Sequence, residues 1–133
     1  MILPGMDQKA LNRRTGVVID AAMKVHSALG PGLLENAYQM CLAHELGTRG
    51  LDIQVQVPLP VKYAGISLNV GYRIDLLVDD VVIVEVKAVS KILRVHEAQL
   101  LSYLKLSDRR VGLLLNFHVL RMKNGIIRIA NNW

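Results

Sequence analysis

Apolar positions recur along this 133-residue chain with two different periods, and the two alternate in blocks. Between Lys9 and Leu29, the residues Leu11, Val18, Ala21, Ala22, Val25 and Leu29 follow three- and four-residue steps, which predicts a helix that Gly30-Pro31-Gly32 ends. Leu34, Tyr38, Cys41, Leu42 and Leu46 predict a second helix over Leu33–Thr48, with Gly50 as its stop. The period then drops to two. Ile53, Val55 and Val57 alternate with Asp52, Gln54 and Gln56 up to Pro58, the mark of a strand with one buried face. Val61–Tyr63, Ile66–Val78 and Val81–Val89 are expected to continue as a meander around a turn at Gly65. Val95–Leu106 returns to helical spacing, and Val111–Phe117 and Gly125–Ala130 read as closing strands.

The connection from Val89 to Val111 is long enough for a right-handed crossover, so the strands it joins are expected to lie parallel in a mixed sheet. The apolar residues are mostly aliphatic: 21 Leu, 16 Val and 10 Ile against six aromatics suit strands buried on both faces and covered by helices. With no repeat, low-complexity run or linker, residues 1–133 are expected to form a single α/β domain. Apolar runs such as Val111–Leu115 are far short of the roughly 20 residues that cross a bilayer. Met1–Met6 has no basic n-region, no apolar core of signal-peptide length follows it, and Cys41 has no partner cysteine, so no membrane span and a cytoplasmic location are expected.

The net charge of +5 is unevenly spread. Residues 1–86 hold seven basic and nine acidic groups, whereas residues 87–133 hold nine basic and two acidic ones. Such a bias fits either a polyanionic partner or a solvated basic surface. If the partner is nucleic acid, Lys91, Arg94, Lys105, Arg109, Arg110, Arg121 and Lys123 are the candidates for backbone contacts. With few aromatics for stacking, recognition is expected to lean on phosphates and to weaken with salt.

The informative chemistry lies between Tyr72 and Lys87. Asp75, Glu85 and Lys87 interrupt otherwise apolar strands, where an ionised group is costly unless it is paired or bound to a metal. Glu85 and Lys87, two apart on a strand, share a face. A two-residue turn at Asp79-Asp80 would pair Ile74 with Glu85 and drive that carboxylate onto the apolar face. A three-residue connection over Asp79–Val81 pairs Val78 with Val82, Leu76 with Val84 and Ile74 with Val86, and sets Asp75 opposite Glu85 with Cβ atoms about 5 Å apart. Apolar matching favours the second register. The gathered carboxylates suit a hard divalent cation such as Mg²⁺ or Mn²⁺, and an Asp–Lys–Glu ion-pair cluster at a sheet edge is the competing explanation.

Other polar residues have local explanations too. Glu35 lies in the first turn of the second helix, where a carboxylate gains about 0.3–1 kcal/mol from the helix dipole. Tyr38, one turn on, reads as a core aromatic with a satisfied hydroxyl. Gln99 and Tyr103 share a helix face with His96. One cysteine supplies no usual zinc set, and Gly30-Pro31-Gly32 lacks the ending of a phosphate loop.

Asp75 followed after nine residues by Glu85-Val86-Lys87 resembles the metal-binding core of the PD-(D/E)XK nuclease superfamily, with Ile74 in the place of its motif proline. Val25-His26, the run from Gly30 to Tyr38, the run from His96 to Tyr103 and Gly112–Phe117 are similar to the small GxxExxY family within it, so the likeness spans roughly residues 11–129. The resemblance implies a restriction-endonuclease-like core in the order α-β-β-β-α-β, its mixed sheet flanked by helices, with an extra N-terminal helix. It implies Asp75, Glu85, the Val86 carbonyl and Glu35 as ligands of Mg or Mn, Lys87 as catalytic lysine, and Gln99, Tyr103 and Tyr38 as supporting residues. The expected activity is metal-dependent hydrolysis of nucleic-acid backbone, DNA before RNA. A non-catalytic nucleic-acid- or protein-binding module keeping the same fold is the alternative. Homodimerisation is compatible with a nuclease of this size acting on duplex, though no interface is apparent in the sequence.

Overall fold

The computed structural model describes residues 7–132, so the Met1–Met6 segment read above lies outside it. Helix α1 (Gln8–Leu29) starts on Asp7, whose side chain accepts the Ala10 amide at 2.8 Å and so satisfies one of the orphan donors of the first turn. Gly30 takes the left-handed backbone that ends it, and its amide closes onto the His26 carbonyl. Helix α2 (Glu35–Thr48) follows, then β1 (Ile53–Pro58), β2 (Val61–Tyr63), β3 (Ile66–Leu68), β4 (Arg73–Val78), β5 (Val82–Lys87), α3 (Arg94–Ser107), β6 (Val111–Asn116), a short 3-10 turn (Met122–Gly125) and β7 (Ile126–Ala130).

Five strands form a sheet in the order β1-β4-β5-β6-β7, with β5 at its centre. β5 and β6 run parallel, joined through α3, and the other neighbours are antiparallel, which is the mixed sheet expected from the crossover. One face carries α1 and α2, packing Leu11, Val18, Tyr38, Leu42 and Leu46 against Val82, Val84, Val86, Leu113 and Leu115. The other carries α3, packing Leu100, Tyr103 and Leu104 against Ile83 and Leu114. Close approach on this side depends on Gly112, where a Cβ would meet a Leu100 methyl at 2.8 Å.

The β4–β5 connection is the three-residue one: Val78 faces Val82 and Leu76 faces Val84. Asp79 and Asp80 both adopt left-handed backbone there, at φ 50 and 60. Each is held from a different direction. Arg14 of α1 pairs with Asp79 at 2.9 Å, and Arg109 pairs with Asp80 at 2.6 Å while also bonding its carbonyl.

The expected meander is corrected in two places. Residues 66–78 are two strands, broken at 69–72 where Gly71 has φ 92, and β2–β3 forms a separate two-stranded hairpin. Its turn at Ala64-Gly65 has φ 50 and 81, the left-handed pair that matches the twist of a tight hairpin. The main sheet passes this hairpin by, pairing β1 directly with β4. The second correction concerns β1, whose apolar residues do not share one buried face. Ile53 packs on the α1–α2 side, Val57 on the α3 side, and Val55 is exposed.

Candidate active site

The site lies at the C-terminal end of β5. Glu85, only 4% exposed, sits on the α3 side of a strand whose alternate residues Val82, Val84 and Val86 fill the opposite core. The regular pairing of β4 with β5 stops at Leu76–Val84, and beyond it the carboxylates take over the backbone's hydrogen bonds. Glu85 Oε2 accepts the Asp75 amide at 2.8 Å, and Asp75 Oδ2 accepts the Val86 amide at 2.9 Å. The two acids are therefore locked into the fold by each other's strand. Asp75 Oδ1 accepts the Gln56 side-chain amide at 3.2 Å, and the Asp75 carbonyl accepts the buried Gln39 side chain at 3.5 Å.

Burial sets the electrostatics. Together with the neighbouring Asp75 charge, and against the Asp75 amide and Lys87, it pushes the Glu85 carboxyl up to about 8. Asp75 is raised by the same desolvation, against the Val86 amide, Lys87 and Gln56. Glu35, the first residue of α2, is also raised by burial, with Lys87, the Ala88 amide and His96 favouring its charged form and Asp75 opposing it. All three carboxylates thus feel Lys87, and Glu35 reaches the group across the sheet edge. The Tyr103 hydroxyl is pushed up to about 12 by burial and by Glu85, Asp75 and Tyr72, so it stays a proton donor at neutral pH.

Other expected residues fall elsewhere. The Tyr38 hydroxyl donates to the Gly30 carbonyl and accepts the Leu33 amide at 2.9 Å, and its ring stacks on Phe117 with centroids 4.6 Å apart. It shapes the loop that delivers Glu35, as a core aromatic whose hydroxyl is satisfied there. His26 is bonded to the Val119 carbonyl and His96 to the Leu93 amide. Gln99 lines an open groove of about 460 Å³ with Tyr72 and Tyr103. Of the basic residues, Lys91, Arg94, Arg121 and Lys123 are exposed and lie in segments that follow the C-terminal ends of β5 and β6, the end where Glu85 and Lys87 sit. Lys105, Arg109 and Arg110 lie at the opposite end, before β6. Arg109 holds Asp80 through both its carboxylate and its carbonyl.

Gln56 and Gln39 were missed in the sequence. Gln56 had a signal, since it stands two residues from the strand's end among alternating polar positions; its pairing with Asp75 required knowing that β1 skips the intervening hairpin.

A mixed sheet covered on both faces, with a carboxylate pair and a lysine where its central strand ends, is the restriction-endonuclease-like class of fold. Residues 12–129 match the PD-(D/E)XK nuclease superfamily, and the chain belongs to it. No curated protein and no solved structure matches it.

Nucleases of this superfamily generally use divalent metal ions. Among the described residues, no three His, Cys, Asp or Glu side chains converge as a ready-made cage. The donor chemistry nevertheless fits a hard cation: Asp75, Glu85 and Glu35 offer only oxygen ligands, and their like charges are gathered at a cost that a cation relieves.

Proposed function

We propose that this chain is a metal-dependent nuclease of the GxxExxY family, cleaving DNA in preference to RNA, with Asp75, Glu85, the Val86 carbonyl and Glu35 holding Mg²⁺ or Mn²⁺. The observation that carries the reading is the reciprocal lock between Asp75 and Glu85, with Lys87 acting on both. A decorative ion-pair cluster does not need buried like charges on adjacent central strands. A bound cation would lower the pKa of an attacking water and offset charge that develops on phosphate.

The chain's own residues do the rest. Lys87 supplies a point charge for a non-bridging phosphate oxygen and favours the ionised carboxylates beside it. Tyr103, held protonated near Glu85 and Asp75, is a donor available to the substrate. Gln56 fixes the Asp75 carboxylate, and Gln39 fixes the strand carrying it. Lys91, Arg94, Arg121 and Lys123 extend a basic margin for the substrate backbone. Among the described residues no helix is long and apolar enough to cross a membrane.

The test is incubation of the purified protein with plasmid, single-stranded DNA and RNA in Mg²⁺ or Mn²⁺. Cleavage that Asp75→Asn and Lys87→Ala abolish is expected; metal-independent binding without cleavage identifies the non-catalytic module instead.

A further inference from the structure

The β2–β3 hairpin is built unlike the rest of the molecule. Val61 and Tyr63 share one of its faces with Ile66 and Leu68, their cross-strand partners. Tyr63 is 72% exposed, and Ile66 and Leu68 are exposed too, so this apolar face is not used to fill the core. The hairpin leaves the body where the Leu59 amide bonds the Tyr72 carbonyl. At that root Val61 and Tyr72 face Val95, Ala98, Gln99, Ser102 and Leu106 of α3 across the open groove. Tyr72, 45% exposed, meets Tyr103 edge-on with centroids 6.0 Å apart. Tyr103, which lines the groove, also feels the charges of Glu85 and Asp75.

Two of the chain's four tyrosines thus line one groove, although their number alone promised little stacking. Charge points the same way. Between Leu59 and Ile74 the only ionised side chains are Lys62 and Arg73, and between Val86 and Leu106 they are Lys87, Lys91, Arg94 and Lys105 against the single acid Glu97. An apolar, tyrosine-lined groove with basic margins and a phosphodiester site at one end complements a polyanion that presents flat rings.

We infer that the groove between the β2–β3 hairpin and α3 binds unpaired nucleobases of a strand whose phosphate lies at Asp75 and Glu85, making the protein selective for single-stranded or frayed nucleic acid. The inference rests on the nuclease reading for the position of the phosphate. Duplex bases are stacked on each other and offer no ring to Tyr72. An unpaired base offers both faces, and an apolar groove recognises it without regard to sequence.

Binding without metal separates the two readings. In EDTA, oligonucleotides of DNA and RNA carrying 2-aminopurine are titrated with protein, single-stranded and annealed to a complement, following fluorescence and anisotropy. Tighter binding of the single strand with quenching of the probe is expected. Tyr72→Leu and, on the exposed hairpin, Tyr63→Ser should each cut single-strand affinity, by roughly tenfold for the groove tyrosine, and shrink the preference over duplex. Equal affinity for single strand and duplex, or a preference untouched by both substitutions, overturns the inference. So does concentration-dependent self-association that Tyr63→Ser abolishes, since the face would then belong to a second copy. Single-strand binding in a protein that never cleaves with Mg²⁺ or Mn²⁺ keeps the groove and removes the nuclease.

Discussion

Gln56 and Asp75 stand opposite each other on β1 and β4, and at that rung both strands exchange the side of the sheet they bury. The pairs on either side, Val55–Leu76 and Val57–Ile74, keep one register, so no residue is inserted. Yet Leu76 packs toward α1 and α2 while Ile74 packs toward α3, and Ile53 and Val57 divide in the same way. Gln56 makes the change with a left-handed backbone, φ 54, and its side chain then grips Asp75. A non-glycine residue held there costs on the order of 1–3 kcal/mol. The Asp75 carboxylate is oriented at the expense of β1.

Gln56→Gly and Gln56→Ala therefore separate strain from function. Both lose the amide on Asp75, and both should lower metal-dependent cleavage by about tenfold, the loss of one positioning hydrogen bond. Glycine tolerates the left-handed backbone, so its variant should be more stable than the alanine variant by about 1 kcal/mol. Thermal denaturation beside cleavage rates checks this; a glycine variant that melts below the alanine one contradicts the strain.

The metal-free protein should lose stability as pH rises. Glu85 holds its proton up to about 8 in the fold and releases it near 4.5 when unfolded. Between those values the native state carries the extra proton, so unfolding releases it and stability falls with pH by at most about 1.4 kcal/mol per unit from this group. Asp75, raised in the same direction, adds to the trend. Urea melts at pH 5 and pH 8 in EDTA should show it, and Glu85→Gln should flatten it. Mn²⁺ at pH 8 should restore the lost stability in the wild type but not in the Gln variant.

Tyr38→Phe keeps the stack on Phe117 and strands the Leu33 amide and the Gly30 carbonyl. A loss of about 1–2 kcal/mol in chemical denaturation is expected. Because the loop leads straight into Glu35, cleavage should fall as well, with a larger effect on rate than on single-strand affinity.

The basic residues should divide by position. Lys91→Ala or Arg94→Ala should weaken nucleic-acid binding and reduce its salt slope by about one each. Arg109→Ala should leave the slope as it is and cost up to about 1 kcal/mol of stability through the partly exposed pair with Asp80. A salt slope that falls with Arg109→Ala would mean the substrate wraps to the opposite end of the sheet.

Much of this was legible in the chain because local chemistry and tertiary packing agree there. Helical spacing locates α1 and α3 to within a residue or two, and the parallel pairing of β5 with β6 follows from the connection between them. Apolar matching selects the β4–β5 register, and with it the meeting of Asp75 and Glu85. The matching fails one rung later, at Ile74, because alternation assumes a strand that keeps its faces and Gln56 lies in a strand that does not. The detached hairpin was hidden for a related reason: Val61, Tyr63, Ile66 and Leu68 read as sheet residues, and nothing local says that their apolar face stays outside. The partners of Arg109 and Tyr38, Asp80 and the Gly30 carbonyl, are distant or backbone groups that a pattern does not display.

The β4–β5 hairpin is pinned at its turn from both sides, by Arg14 on Asp79 and Arg109 on Asp80, while beyond Leu76 and Val84 its two strands are joined to each other through Asp75 and Glu85. An ion between the two carboxylates would draw on them at the end away from the pinned turn. The amides of Asp75 and Val86, bonded to those carboxylates, are then built-in gauges of that pull. Their exchange rates and nitrogen shifts would register it before any bond in the substrate is broken.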